Sequence, residues 1–403
     1  MTGPPRVDPR DVIVVGGGPA GAAVAIFLRQ HGREVLLLDE ARFPRDKVCG
    51  EAVSPEAWRL LAALGVDGAV RMLAPHPLHG MAVTAPDGTC FRGDYRGAPR
   101  PGFAVRRERL DRVLLDRARE AGVDVREGTK VSGLLMREGT VVGVTAANGR
   151  GAEALPARLV IGADGRRSVV ARRLGLLREH PRLRKFAVRG YWEGMEALEE
   201  RGEMHGGGGG YCGVAPLSAT RANVTFVLDR RDMAPAGDGL ERFYRRTLRR
   251  WPRIAERLAR STLLSPPRAI GPLALEASRV SAPGALLVGD AAGFYDPFTG
   301  EGVTLALRSA EIAAAVADRC LRAQSSDGLR EYDRARHAAT RHKFRFNRLL
   351  QVVVGHPRLA NAAARRFVQR PDLADRLVSI AGDFVPARSA LGPSFLLELL
   401  GLC

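Results

Sequence analysis

Residues 11–40, DVIVVGGGPAGAAVAIFLRQHGREVLLLDE, constrain the fold more than any other stretch of this 403-residue chain. Val12, Ile13, Val14 and Val15 form a β-branched apolar run, the signature of a buried parallel strand. Gly16, Gly18 and Gly21 follow at the spacing GxGxxG, with Pro19 and Ala20 between them, and residues 22–30 carry helix formers without a breaker. In such a strand–turn–helix the first glycine permits the tight turn. The second lets the backbone approach a diphosphate, and the third lets helix and strand pack closely. The helix start offers free N–H groups and a positive dipole end to the phosphates. Residues 34–38 read as a second strand ending at Asp39, followed by Glu40. A carboxylate there accepts hydrogen bonds from ribose hydroxyls. A glycine fingerprint alone is weak, but a strand before it, a helix after it and an acid closing the next strand supply the context it needs. An acid rather than an arginine at that point argues against a 2′-phosphate and leaves FAD or NAD.

The length allows one or two domains with a sizeable core, and a composition of 45% hydrophobic and 26% charged residues suits a globular enzyme. No apolar run is long enough to span a bilayer, and the N-terminal MTGPPRVDPR lacks a signal-peptide core, so a cytoplasmic protein is expected. Cys49, Cys90, Cys212, Cys320 and Cys403 are scattered without a CxxC pair, which argues against structural zinc and against a disulfide framework. No metal site is expected. The net charge of +18 is carried almost wholly by arginine. It would suit an acidic carrier protein, an anionic membrane surface or nucleic acid, or be simply a solvated arginine-rich surface, the reading favoured here. No nucleic-acid-binding motif accompanies it.

Further along, residues 54–64 read as a helix capped by Ser54 with Pro55 at its first position. Residues 81–84 and 89–92 flank Pro86-Asp87-Gly88 as a hairpin, and residues 107–121 form a helix. Short strands at 123–125, 129–137 and 141–147 make a small meander, and 158–161 is another buried strand. Strands at 186–192, 211–216 and 223–228 mark a second sheet. The glycines at 206–210 between them make a mobile turn or let the backbone approach a ligand. Residues 239–258 are helical, 285–288 return to a buried strand, and helices at 299–321, 327–354, 360–380 and 395–402 finish the chain.

Three further motifs accompany the fingerprint: FPRDKVCGE at 43–51, RERLD at 107–111, and the pair GADGRRSVVAR at 162–172 and LLVGDAAGFYDPFTGEG at 286–302. In this order they make residues 11–318 resemble the FAD-dependent oxidoreductases with the para-hydroxybenzoate hydroxylase fold. The geranylgeranyl reductase group is most similar, with flavin hydroxylases and halogenases as relatives. The resemblance implies an α/β protein: a Rossmann-like FAD-binding domain of parallel sheet plus antiparallel meander, an inserted antiparallel substrate sheet, and C-terminal helices. The FAD-binding parts would be 1–80, 106–182 and 276–325. The hairpin 81–105 and the sheet 183–275 would bind substrate, and 326–403 would be helical.

The resemblance also implies residue roles. Besides Gly16, Gly18, Pro19, Ala20, Gly21, Asp39 and Glu40, FAD would contact basic Arg45, then Cys49 and Gly50 near the flavin ring, with the thiol at its reactive face. Arg107 and Val131 would contact FAD, and Ala163, Asp164 and Gly165 would lie between diphosphate and flavin. Gly289 and Asp290 would meet the ribityl chain, and Pro297, Gly300, Glu301, Gly302 and Val303 would line the ring. Gly302 would open a long helix whose positive end favours anionic reduced flavin. Three departures matter: Gly293 stands where hydroxylases usually carry His, residues 211–217 lack the Trp, Phe and Lys of prenyl reductases, and the WxWxIP of tryptophan halogenases is missing.

With a single dinucleotide fingerprint, NAD(P)H would bind transiently as electron donor, or a partner reductase would serve. The leading expectation is a monooxygenase that hydroxylates or epoxidises an aromatic, polyketide-like or other apolar secondary metabolite through a flavin C4a-hydroperoxide. The substrate would be free or borne on a carrier protein. The alternative is a reductase saturating alkenes of a prenyl or lipid substrate, and a third reading is a non-catalytic FAD-binding partner protein. Cys49, Tyr211 and Tyr295 are the catalytic candidates. Tyr191, Trp192, His205 and Cys212 join Tyr211 as pocket candidates, of which strand alternation lets only about half face the flavin. The C-terminal residues Phe395, Leu396 and Leu397 are expected to pack on the protein, with at most peripheral membrane contact.

Overall fold

The computed structural model describes residues 9–148, 151–180, 184–233, 239–294, 298, 300–390, 392 and 398. Its first sheet is built on strand Arg10–Val15, which pairs in parallel with Val35–Asp39 on one side and with the end of Gly151–Gly162 on the other. Asp124–Glu127 and Ala285–Leu287 extend it in parallel at either side. Because Val12, Ile13 and Val14 are fully buried between layers, the run tolerates no polar residue. Strand Gly151–Gly162 has two roles. Its first half pairs antiparallel with Thr140–Asn148, which pairs in turn with Lys130–Arg137, and its second half enters the parallel sheet. Helix Pro19–Gln30 is buried from Pro19 through Leu28 and packs on the long helix Gly302–Ala323; its alanines allow that close approach.

The second sheet is mainly antiparallel, in the order Thr262–Leu263, Lys185–Glu193, Arg221–Asp229, Gly210–Pro216, Gly202–Gly207, Gly80–Thr84, Cys90–Asp94. Alternation gives it two faces. One packs Val188, Trp192, Cys212, Val224 and Phe226 against helices Leu240–Leu248 and Pro252–Leu258. The other looks toward the first domain. Helices Arg330–Gly355, Pro357–Gln369 and Pro371–Ala381 pack against the hairpin edge. Among the described residues no helix is long and apolar enough to cross a membrane.

Several local expectations change. The helix after Ser54 begins at Ala57, and Ser54 does not cap it; the hydroxyl pairs with Thr304 Oγ1 at 2.7 Å, tying this turn to the long helix. Residues 239–258 split into two helices at Pro252 and residues 360–380 at Pro371, because a proline has no N–H for the preceding turn. The glycine run is a hairpin turn packed on Arg250 and Trp251, on the helix side of the sheet. Most of residues 395–402 lies outside the described residues.

Candidate cofactor and substrate site

The glycine-rich turn sits where the first strand ends. Gly16 N donates to Leu38 O at 2.7 Å, and Ala163 N donates to Val15 O at 2.7 Å, so three strands meet at one edge. Gly16 has φ +103°, and a Cβ on Gly21 would lie 1.8 Å from Gly16 O. Asp39 accepts from Gly17 N at 2.6 Å and Ala41 N at 2.8 Å. It therefore locks the loop first, keeping only its remaining lone pairs for a ribose. Glu40 is exposed. Thr129 N donates to Asp39 O, which brings Val131, itself buried, to the same end of the cleft.

Segment 43–51 straps across between the two sheets, and its side chains alternate in direction. Arg45 approaches Asp111 (3.3 Å), lies 3.5 Å from where a Gly18 Cβ would be, and leaves Nη1 buried without a hydrogen bond. Lys47 lies 3.7 Å from the Cβ position of Gly165. Burial pushes its ammonium below the usual range against the pull of Asp290, with Arg107, Arg45 and Arg166 adding repulsion. Asp46 turns the other way, to Arg189 (2.7 Å) and Arg268 (2.9 Å); burial opposes ionisation, but these arginines hold its carboxyl below the usual range. Arg107 forks onto Asp111 at 2.7 and 2.8 Å and reaches Cys49, so the guanidinium positions the strap. Gly50 is exposed, with nothing within 4 Å of where its Cβ would be.

Glu51 closes the strap. It is 1% exposed, with φ +63°. Its carboxylate accepts from Arg107 N at 3.0 Å, from Asn223 Nδ2 at 3.2 Å and from the Tyr191 hydroxyl. Burial raises its pKa, and those donors offset part of that rise. Sequence reasoning passed over Glu51, although a buried acid in a left-handed conformation beside a Cys-Gly pair is where stored strain collects.

On the far wall, Asp164 accepts from Val169 N at 2.6 Å through Oδ2, while Oδ1 is buried without a partner. Burial raises its pKa against hydrogen bonds from Ser168 and Val169. Gly165, Gly289 and Gly300 take positive φ in the turns that shape this wall, and Asp290 follows Gly289. Gly302 opens helix Gly302–Ala323. Glu301 corrects the expectation that its side chain lines the ring. It pairs with Lys343 at 2.6 Å and accepts from Asn347, both on helix Arg330–Gly355. Val303 is buried in the main core and offers the cleft only its backbone. Tyr295 and Pro297 lie outside the described residues.

These residues fit a flavin dinucleotide. The glycine cradle and Arg45 Nη2 beside Gly18 suit a diphosphate, and the orphaned Asp164 oxygen suits a ribityl hydroxyl. The substrate sheet divides the pocket candidates. Tyr191 and Tyr211 share the face toward the strap; Tyr211 meets Phe298 edge-on with centroids 5.1 Å apart. Trp192, His205 and Cys212 point to the helix side. Trp192 Nε1 donates to Tyr244 OH at 3.1 Å, and His205 pairs with Glu203, which Arg257 clamps at 2.7 Å. Cys212 sits fully buried in that core, where burial pushes its thiol up. Sequence reasoning also missed Asn223 and Thr225 on the inner face; nothing in their local sequence marks them.

Fold and site together define a dinucleotide-dependent oxidoreductase of the Rossmann-like flavoprotein kind. The chain belongs to the FAD binding domain family, whose model matches residues 10–347. It is similar to a menaquinone reductase of Mycobacterium tuberculosis, at 32% identity over 77% of each chain. It is also similar to a 6-methylpretetramide 4-monooxygenase of Streptomyces rimosus, at 30% identity over 78% of this chain and 77% of that one. A geranylgeranyl bacteriochlorophyll reductase-like protein from Thermoplasma acidophilum shares the fold, with TM-score 0.75 and 21% identity over 97% of this chain and 96% of that one.

Proposed function

We propose that the protein is an FAD-dependent reductase that saturates an alkene in a largely apolar, isoprenoid-like substrate. The observation that carries this reading is the Cys49-Gly50 corner, anchored through Asn223 to the inner face of the second sheet, against which the apolar cluster of Met204, Tyr211, Leu273, Phe294 and Phe298 also packs. Bound reduced flavin supplies a hydride. Saturation also needs a proton on the neighbouring carbon, for which Cys49 is the donor proposed here. Cys49 Sγ accepts from Glu51 N at 3.3 Å, which leaves its S–H hydrogen free for the cleft. Once that proton leaves, Arg107 and the Glu51 N–H stand ready to stabilise the sulfur anion. The apolar strip aligns the chain and keeps water out. Similarity to a menaquinone reductase supports this order of readings over the oxygenase that sequence alone put first.

Monooxygenation of a phenolic or polyketide-like ring is the second reading. The edge-on Tyr211–Phe298 pair suits an aromatic guest, and similarity to a pretetramide monooxygenase points the same way. In both readings NAD(P)H or a partner reductase delivers electrons. The test is anaerobic: dithionite-reduced protein is mixed with a menaquinol, whose ring is already reduced, and flavin reoxidation and the product's mass are followed. Reoxidation without oxygen and a mass gain of two hydrogens in the side chain are expected, with Cys49→Ser slowing it at least about 100-fold. Turnover only with oxygen, adding an oxygen atom, would establish the second reading instead.

A further inference from the structure

The inner face of the second sheet has two halves. Met204, Tyr211, Val227 and Leu273 make one apolar, whereas Tyr191, Asn223 and Thr225 make the other polar. Between the halves lies Gly213, paired with Thr225. A Cβ there would make only ordinary contacts, the nearest with Met204 Cε at 3.7 Å, so the missing side chain leaves a methyl-sized hollow next to Thr225. Thr225 and Gly213 are part-exposed, while Asn223 is 1% exposed.

The hydrogen-bond directions on the polar half are forced. Asn223 Nδ2 lies 2.8 Å from Cys49 O, and a carbonyl can only accept. That fixes which end of the amide is nitrogen, and the same nitrogen serves Glu51 Oε2 at 3.2 Å. Asn223 Oδ1 must then be the acceptor, and Thr225 Oγ1 donates to it at 2.7 Å. The single hydroxyl hydrogen of Thr225 is thereby committed to the protein. What its oxygen retains for the hollow is lone pairs.

We propose that Thr225 presents a fixed hydrogen-bond acceptor to the substrate cleft and selects substrates carrying a hydroxyl at one end of an apolar body. A phenol, a hydroquinone or an alcohol satisfies it. A carbonyl or an ether of the same shape meets lone pair with lone pair and leaves both unpaired. The apolar body lies over Gly213 toward Met204 and Tyr211. The backbone of the strap sets this polarity, because the Cys49 carbonyl orients Asn223 and Asn223 orients Thr225.

This inference rests on the inner face being the substrate face, the reading proposed above, and the test separates the two. The FAD-loaded protein is titrated with 1-naphthol and with 1-methoxynaphthalene, and dissociation constants are read from the perturbed flavin absorption spectrum. Wild type is expected to prefer the naphthol at least about tenfold, the worth of one buried hydrogen bond. Thr225→Val should keep FAD, bind the ether as before and lose most of that preference, and Thr225→Ser should restore it. A preference unchanged in Thr225→Val, or no preference in wild type, overturns the Thr225 assignment while leaving the face in place. A flavin spectrum indifferent to both probes in wild type overturns the substrate face, and the Thr225 role with it.

Discussion

At the residue scale, the cofactor cradle depends on a missing Cβ. Gly21→Ala puts a methyl 1.8 Å from Gly16 O, a contact that backbone cannot yield to without moving the turn. We expect this variant to lose bound flavin absorbance on purification and to be less stable by about 2 kcal/mol or more, read from denaturant unfolding. Its counterpart, Gly213, has room around it, so its value is the hollow itself. Glu51 differs from both. It joins the strap to Arg107 N at the start of helix Arg107–Glu120 and to two strands of the second sheet. One side chain thus carries the registration of the two domains at the corner where Cys49 stands.

At the scale of elements, the long helix after the flavin loop is tied to the C-terminal helices by one buried cation and two carboxylates. Lys343 pairs with Glu301 at 2.6 Å and with Asp383 at 2.9 Å. One ammonium cannot fully compensate two buried anions, so burial, with Glu301 adding repulsion, raises the Asp383 carboxyl to about 6 despite Lys343. A pKa raised in the folded state contributes stability that is complete at low pH and is lost as pH rises through that value. The C-terminal packing should therefore weaken between about pH 4 and 6, by roughly 3 kcal/mol. Asp383 has φ +66°, which Asn accommodates. Asp383→Asn is expected to flatten the dependence of Tm on pH in that window and to raise Tm at pH 7. An unchanged profile would show that Lys343 neutralises both acids. None of this was legible in sequence, because Glu301, Lys343 and Asp383 are far apart in the chain and the flavin-loop motif assigned Glu301 to the ring. The helix breaks at Pro252 and Pro371 are legible in sequence, since proline is a local signal.

At the scale of the whole molecule, bound FAD would touch strap, glycine loop and far wall together. Binding to the folded state alone stabilises by mass action, about 2.7 kcal/mol at a hundredfold excess over Kd. Melting with and without FAD should show that gain as a shift of several degrees. The affinity should fall with added salt, since the Arg45 guanidinium stands beside the glycine cradle. The sequence alone determined the cofactor domain, because its signals are contiguous: a strand, a glycine turn, a helix and an acid within thirty residues, then short motifs at strand ends. Tertiary structure alone decided which sheet face meets the cofactor. Alternation assigns Tyr191 and Tyr211 to one side and Trp192, His205 and Cys212 to the other, but a period of two is symmetric. Only packing against helices Leu240–Leu248 and Pro252–Leu258 breaks that symmetry, and only the strap, arriving from the other domain, gives Asn223 and Thr225 their hydrogen-bond directions.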